Sequence, residues 1–184
     1  MRDRSIESYK RLWDTMIIRP DRAPIVEQAL ANIIPRKHRY LDSVAGTRVP
    51  WVFIAALHYR ECDNDFSRQI LNGQPYESVT TLVPKGRGPW DSWEDSTRSA
   101  IDERGYDEWN DWQPEWMLRR LERHNGWGYA LRNLNSPYVW AGTNHQQPGM
   151  FDEDERGSWF NFKKIDQRIG GAVVVKAIIE QGES

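Results

Sequence analysis

The chain has a single cysteine, Cys62, in 184 residues. One thiol excludes an intramolecular disulfide framework and a zinc site built from several cysteines. The sequence also lacks an excess of charge of either sign, with 25 basic and 27 acidic residues and a net charge of -2. This balance argues against a surface that binds nucleic acid or acidic lipid.

Long apolar runs are missing as well. The N-terminal segment is charged throughout, and no apolar stretch reaches the roughly 18 residues of a membrane span. We therefore expect no signal peptide and no membrane insertion. The chain also contains no GxSxG nucleophile motif, no phosphate-binding loop and no dinucleotide fingerprint.

His58 allows two further interpretations, because it stands three residues before Glu61 and four before Cys62. A zinc site could combine His58 and Glu61 with Cys62 or His145, but no second histidine follows at ligand spacing. In the second interpretation Cys62 is a thiol nucleophile beside His58, although a buried cysteine at this spacing is typical of packing. We expect neither a metal nor a cofactor.

Helical signals dominate what is present. Pro24, Pro50 and Pro114 suit the first turn of a helix, and Asp91 with Glu94 has the spacing of a capping box. The predicted helices cover residues 5–16, 24–34, 50–62, 91–104, 114–124 and 166–180, and a strand at 173–175 is the alternative within the last of them. We predict a mainly α fold in a single domain, residues 1–184.

Two segments lack a helical pattern. Residues 72–89 carry a short β-branched run, VTTLV, among several glycines and prolines, which predicts a loop or a small β-hairpin. Residues 144–162 are polar and acidic, and we expect them to be exposed and irregular.

The richest signal is the segment WVFIAALHYRECDNDF, an apolar helical run that ends in Glu61. A carboxylic acid at the edge of an apolar helix has its charged form disfavoured by desolvation, which favours a general acid. The alternative is a salt bridge from Glu61 to Arg60 or Arg39. Asp63 and Asp65 could stay ionised as a water activator or charge stabiliser, or could cap the loop that leaves the helix.

Tryptophan is abundant, with ten residues in the chain. Most tryptophans fill cores and helix seams, but indole rings beside polar residues also stack on the apolar faces of sugars. Asn125, Asn144, Gln146 and Gln147 could add amide donors and acceptors for hydroxyl and N-acetyl groups, or could serve as loop and helix caps.

The segment around Glu61 resembles that around the catalytic glutamate of phage and prophage lysozyme-like proteins, relatives of goose-type lysozymes and soluble lytic transglycosylases. Further blocks of the chain resemble the same family in the same order, and together they span most of the sequence. They read YKRLWDTMIIRP, NGQPY, VPKGRG, LERHNGWGYALRNLNSPYVWAGTNHQQPG and KIDQRIGGAVVVKAI.

The resemblance implies a lysozyme-like helical domain in which Glu61 is the catalytic acid. It places Asn125, Tyr138 and Trp140, and with them Asn144 and His145, at a sugar cleft. His58, on the same helical face as Glu61, is predicted to contact substrate, with orientation of Glu61 or packing in the core as the alternatives. The chain departs from the family pattern at Gln74, where relatives read NGDP, and in MFDEDERGSWFNF after Gly149.

The implied activity is cleavage of the β-1,4 bond between N-acetylmuramic acid and N-acetylglucosamine in peptidoglycan, by a muramidase or a lytic transglycosylase. A monomeric phage endolysin, held in the cytoplasm until release to the wall, or a tail-associated enzyme would fit. The alternatives are a non-catalytic wall-binding or virion structural module and a chitinase-type hydrolase.

Overall fold

The computed structural model describes residues 5–154 and 157–183. Over these residues the protein is mainly helical with one two-stranded antiparallel sheet, in agreement with the predicted fold class. The α-helices are α1 (Ile6–Asp14), α2 (Ala23–Ile33), α3 (Lys37–Val44), α4 (Trp51–Cys62), α5 (Trp93–Arg104), α6 (Pro114–Asn125), α7 (Pro137–Trp140) and α8 (Gly171–Glu180). The strands are β1 (Met150–Asp154) and β2 (Gly157–Asn161).

By its internal contacts the chain forms two compact units, each discontinuous in sequence. The first contains residues 1–26 and 114–176, and the second contains residues 27–113 and 177–184. In the first unit α1 packs on α6, which also contacts α7; in the second, α3 packs on α4 and on α5.

Helix boundaries follow the predicted proline and glycine signals closely. Pro24 and Pro114 lie in first turns, and Pro50 directly precedes α4. The predicted cap of α5 was wrong by one residue: the hydroxyl of Ser92 accepts the Asp95 N–H at 3.0 Å. Gly105 ends this helix in the left-handed conformation, at φ 62°.

The last helix begins later than predicted, at Gly171 rather than near Asp166. Gly170 precedes it where the chain crosses α7 closely, and its N–H donates to the Ala141 carbonyl at 2.7 Å. A Cβ on Gly170 would overlap the Val139 carbonyl, and one on Gly171 would lie 2.6 Å from Cδ1 of Leu121. Two glycines therefore permit the close packing that the sequence suggested.

The two segments without a helical pattern differ from each other. Residues 72–89 form a loop, one of the two predicted alternatives. The prediction of an irregular segment at 144–162 was wrong for residues 150–154 and 157–161, because β1 and β2 pair there with Phe151 opposite Phe160 and Asp152 opposite Trp159. Residues 155 and 156 of this segment lie outside the described residues. Phe151 and Phe160 touch edge to face at 5.0 Å between ring centroids, so aromatic packing holds the hairpin despite its acidic sequence.

Candidate functional site

Helix α4 supplies the predicted general acid. Eleven of its twelve residues are buried, and Glu61 is the one that is not. Glu61 is only partly exposed, because it lies in the last turn between the buried residues Arg60 and Cys62. The helix thus places one carboxyl group, that of Glu61, at the surface of the second unit.

The loop after α4 is folded back on the helix end. Asp63 and Asn64 both have positive φ, 52° and 60°, which ends the helix sharply. Gly73, at φ 71°, passes so close that a Cβ there would lie 3.1 Å from the Glu61 carbonyl oxygen. The backbone that follows the candidate acid is therefore closely packed.

Asp65 belongs to this loop structure. Its carboxylate accepts hydrogen bonds from the Ser67 N–H at 2.9 Å and the Ser67 hydroxyl at 2.7 Å, and it pairs with Arg68 at 3.3 Å. These hydrogen bonds lower the pKa of Asp65, with a smaller effect of Arg68, so the group stays ionised. Asp63 and Asp65 are both exposed.

His58 lies in the core of the second unit with no exposed surface. Its Nδ1 is 3.1 Å from the Tyr40 hydroxyl, and its Nε2 is 3.0 Å from the Asp65 carbonyl oxygen. Phe66 and Trp93 pack against the ring, each at 4.7 Å between centroids. The predicted contact of His58 with substrate is therefore replaced by core packing, and the ring instead tethers the loop after Glu61.

A further set of contacts shapes the loop 72–89. The Gln74 side-chain oxygen accepts the N–H groups of Thr81 and Leu82 at 2.9 and 2.8 Å, and its amide donates to the Thr81 hydroxyl at 2.9 Å. Asn72 donates to the Leu82 and Val83 carbonyls at 3.3 Å. The residue that departs from the family pattern thus has a structural role in this loop.

The other predicted site residues lie in the first unit, where several have structural roles. Tyr138 and Trp140 are buried in α7, so neither presents a stacking face. The Asn144 amide accepts the Ile17 N–H at 2.9 Å and donates to the Thr15 carbonyl at 3.1 Å. Packing in the core therefore replaces the predicted sugar contacts of Tyr138 and Trp140. Asn144 braces the loop but is exposed, so its sugar contact stays a prediction.

His145 and Asn125, like Asn144, are accessible. Nε2 of His145 lies 3.1 Å from the Thr15 hydroxyl, and the residue is partly exposed. Asn125 is exposed at the end of α6. Gln146 and Gln147 brace the surrounding loops, since Gln146 donates to the Asp166 carbonyl at 2.8 Å and Gln147 accepts the Asn135 N–H at 2.7 Å.

Cys62 is buried, and burial raises the pKa of its thiol, so the neutral form is held in the core. Across residues 5–154 and 157–183, no group of three or more His, Cys, Asp and Glu side chains is placed to hold a metal ion. In the same ranges, no helix combines the length and apolar character needed to span a bilayer.

A shallow depression of about 560 Å³ in the second unit is lined by charged groups rather than by the predicted site residues. Arg87 pairs with Glu103 at 2.9 Å and Arg98 with Asp95 at 2.8 Å, so its charges largely compensate each other. It is lined by Arg87, Asp95, Arg98, Ser99, Asp102 and Glu103.

No protein-family model, curated protein sequence or solved structure matches this chain.

Proposed function

We propose that the protein is a peptidoglycan-degrading glycosidase with Glu61 as its general acid. The observation that carries the proposal is the exposure pattern of α4, in which Glu61 alone emerges from an otherwise buried helix. A carboxyl group anchored in this way has the fixed position and partial desolvation that proton donation to a leaving group requires. The family-like sequence blocks support the choice of peptidoglycan as substrate.

In the proposed reaction Glu61 gives its proton to the glycosidic oxygen as the bond from that oxygen to C1 of N-acetylmuramic acid breaks. The bonding electrons leave with the oxygen, and an oxocarbenium-like C1 forms. Attack by water yields a reducing end, whereas attack by the 6-hydroxyl of the same sugar yields a 1,6-anhydro end. In either case the attacking oxygen loses one proton, and Glu61 regains one.

The two aspartates after α4 have different proposed roles. Asp65 is occupied by Ser67 and Arg68, so it stabilises the loop and contributes a fixed negative charge. Asp63 is the candidate to activate water if the reaction ends by hydrolysis. If neither carboxylate acts on C1, the substrate's own N-acetyl or 6-hydroxyl group completes the reaction.

The proposal includes a biological setting, in which the protein is a monomeric phage endolysin released from the cytoplasm to the bacterial wall.

The test of the catalytic assignment is turnover of purified peptidoglycan sacculi by wild type, Glu61→Gln and Glu27→Gln. Glu27→Gln is a matched change at an exposed glutamate of the same unit. We expect Glu61→Gln to lose at least about hundredfold in rate and Glu27→Gln to match wild type.

Circular dichroism and thermal unfolding would establish that both variants are folded. A folded Glu61→Gln protein with wild-type turnover would overturn the assignment. Saturable binding of the wild type to sacculi without release of soluble sugars would indicate a non-catalytic wall-binding module. Cleavage of chitin oligomers at least as fast as peptidoglycan would indicate a chitinase-type enzyme.

A further inference from the structure

The hairpin β1–β2 presents two chemically different faces. Side chains alternate across a strand, so Phe151 and Phe160 share one face and Asp152 and Trp159 share the other. The phenylalanine face packs against Tyr129, with centroid distances of 5.3 Å to Phe151 and 5.8 Å to Phe160. The face that carries Trp159 points away from this packing.

The phenylalanine face is anchored tightly to the first unit. The Arg132 guanidinium lies 4.8 Å from the centroid of Phe151 and 4.9 Å from that of Phe160. Gly128 and Gly149 make room for these rings, since a Cβ at either position would lie within 3.0 Å of a ring carbon. The hairpin is therefore held by one face, which fixes the orientation of the other.

The second face combines an exposed indole with an ordered polar group. Trp159 is 46% exposed, although it stands directly opposite Asp152 in the sheet. The Asp152 carboxylate accepts a hydrogen bond from the Asn161 amide at 3.1 Å and pairs with the Lys164 ammonium. Hydrogen bonds from Lys164, and then from Asn161, lower the pKa of Asp152, so a charged carboxylate stands beside the ring.

From this juxtaposition we propose that the Trp159 face of the hairpin is a glycan-binding platform, formed by Asp152, Trp159, Asn161 and Lys164. A pyranose ring has an apolar face of C–H groups that stacks on indole and a rim of hydroxyls that need donors and acceptors. The platform offers both. A lipid surface would require a continuous apolar area, which the carboxylate, amide and ammonium interrupt.

Hydrogen-bonding capacity also favours a hydroxyl-rich ligand. A carboxylate has about four acceptor positions and an ammonium three donors. The bonds among Asp152, Asn161 and Lys164 use only part of this capacity, so sugar hydroxyls can bind without breaking the cluster. The choice of an N-acetylated glycan as occupant rests on the proposed function.

The test measures binding in the Glu61→Gln background, so that the ligand is not consumed. The probes are an N-acetylglucosamine tetramer and purified sacculi, which separate chitin-like from peptidoglycan sources of the same sugar chemistry. We expect Trp159→Ala to weaken binding by about tenfold and Trp159→Phe to retain most of it. Leu131→Ala, which truncates an exposed apolar residue of the same unit, should bind normally.

A second measurement needs no truncation of the hairpin. In two-dimensional NMR of the Glu61→Gln protein, the indole N–H signal of Trp159, assigned by its absence in Trp159→Phe, should shift saturably during titration with the tetramer. An unmoved signal would overturn the proposal, as would unchanged binding by Trp159→Ala or an equal loss in Leu131→Ala. If instead Glu61→Gln still degraded sacculi, the catalytic assignment would fail while these binding results stood.

Discussion

The hydroxyl of Tyr40 lies 3.1 Å from Nδ1 of His58, inside the core of the second unit. On the far side of the ring, Nε2 faces the Asp65 carbonyl oxygen, which can only accept, so Nε2 carries the proton and Nδ1 accepts from Tyr40. Asn64 in turn donates to the Tyr40 oxygen at 3.1 Å. The chain of donors runs from Asn64 through Tyr40 to His58 and then to the loop after Glu61.

This network makes the stability of the protein depend on pH. Burial lowers the pKa of His58 from 6.5 to about 4, so between these values the unfolded chain binds a proton that the folded chain does not. Stability from this residue is complete above pH 6.5 and falls as pH decreases towards 4. Between pH 7.5 and pH 5 we expect a loss of about 2 kcal/mol, measured by urea unfolding. His58→Gln, though less stable throughout, should show a smaller change with pH, and an equal change would contradict the assignment.

The bracing by Gln74 predicts a different response at the loop 72–89. Gln74→Leu removes one donor and an acceptor that serves two N–H groups, and we expect faster hydrogen exchange at the Thr81 and Leu82 amides. Gln74→Glu keeps the acceptor, and the Thr81 hydroxyl can rotate to donate, so exchange should remain close to wild type. Equal exchange rates in Gln74→Leu and wild type would show that the loop does not depend on this side chain.

Gly170 and Gly171 form a contrasting pair at the start of α8. A Cβ at Gly170 meets the backbone of Val139, which cannot move aside, so Gly170→Ala should cost about 3 kcal/mol or more. A Cβ at Gly171 meets the end of the Leu121 side chain, which can change rotamer, and alanine favours the helix. Gly171→Ala should therefore change stability by about 1 kcal/mol or less. Chemical unfolding of both variants tests the order, and a reversed order would contradict the close approach at Gly170.

The sequence predicted the helices where one residue determines a boundary, as Pro24, Pro50 and Pro114 do. It missed α3, because Pro35 marked an end, whereas the chain passes through a 3-10 turn, Ile34–Arg36, and resumes as a helix. It missed the hairpin because the acidic composition predicted an irregular segment. In the folded chain, cross-strand packing of Phe151 on Phe160 outweighs that composition.

In the candidate site, too, features that depend on neighbouring residues could be predicted, and contacts between distant residues could not. The position of Glu61 at the end of a buried helix could be predicted, because an apolar run and its interruption are local in sequence. The roles of Asn144 and Gln74 could not, because an amide serves sugars and backbone equally well, and only the folded chain brings Thr15 or Thr81 to it. The sequence did not distinguish Trp159 from the other tryptophans, because its position opposite Asp152 depends on the strand register.

Substitution of Asp63 separates the two routes by which the proposed reaction could finish. Asp63 has a left-handed backbone, with φ 52° and ψ 34°, and asparagine tolerates this conformation about as well as aspartate. Asp63→Asn therefore removes a charge while keeping the fold. Because the Asp63 side chain is exposed and solvated, we expect Asp63→Asn to lose less than about tenfold in turnover. Mass spectrometry should find 1,6-anhydro ends among the products. A loss comparable to that of Glu61→Gln in a folded protein, with reducing ends from the wild type, would instead make Asp63 the second catalytic carboxylate.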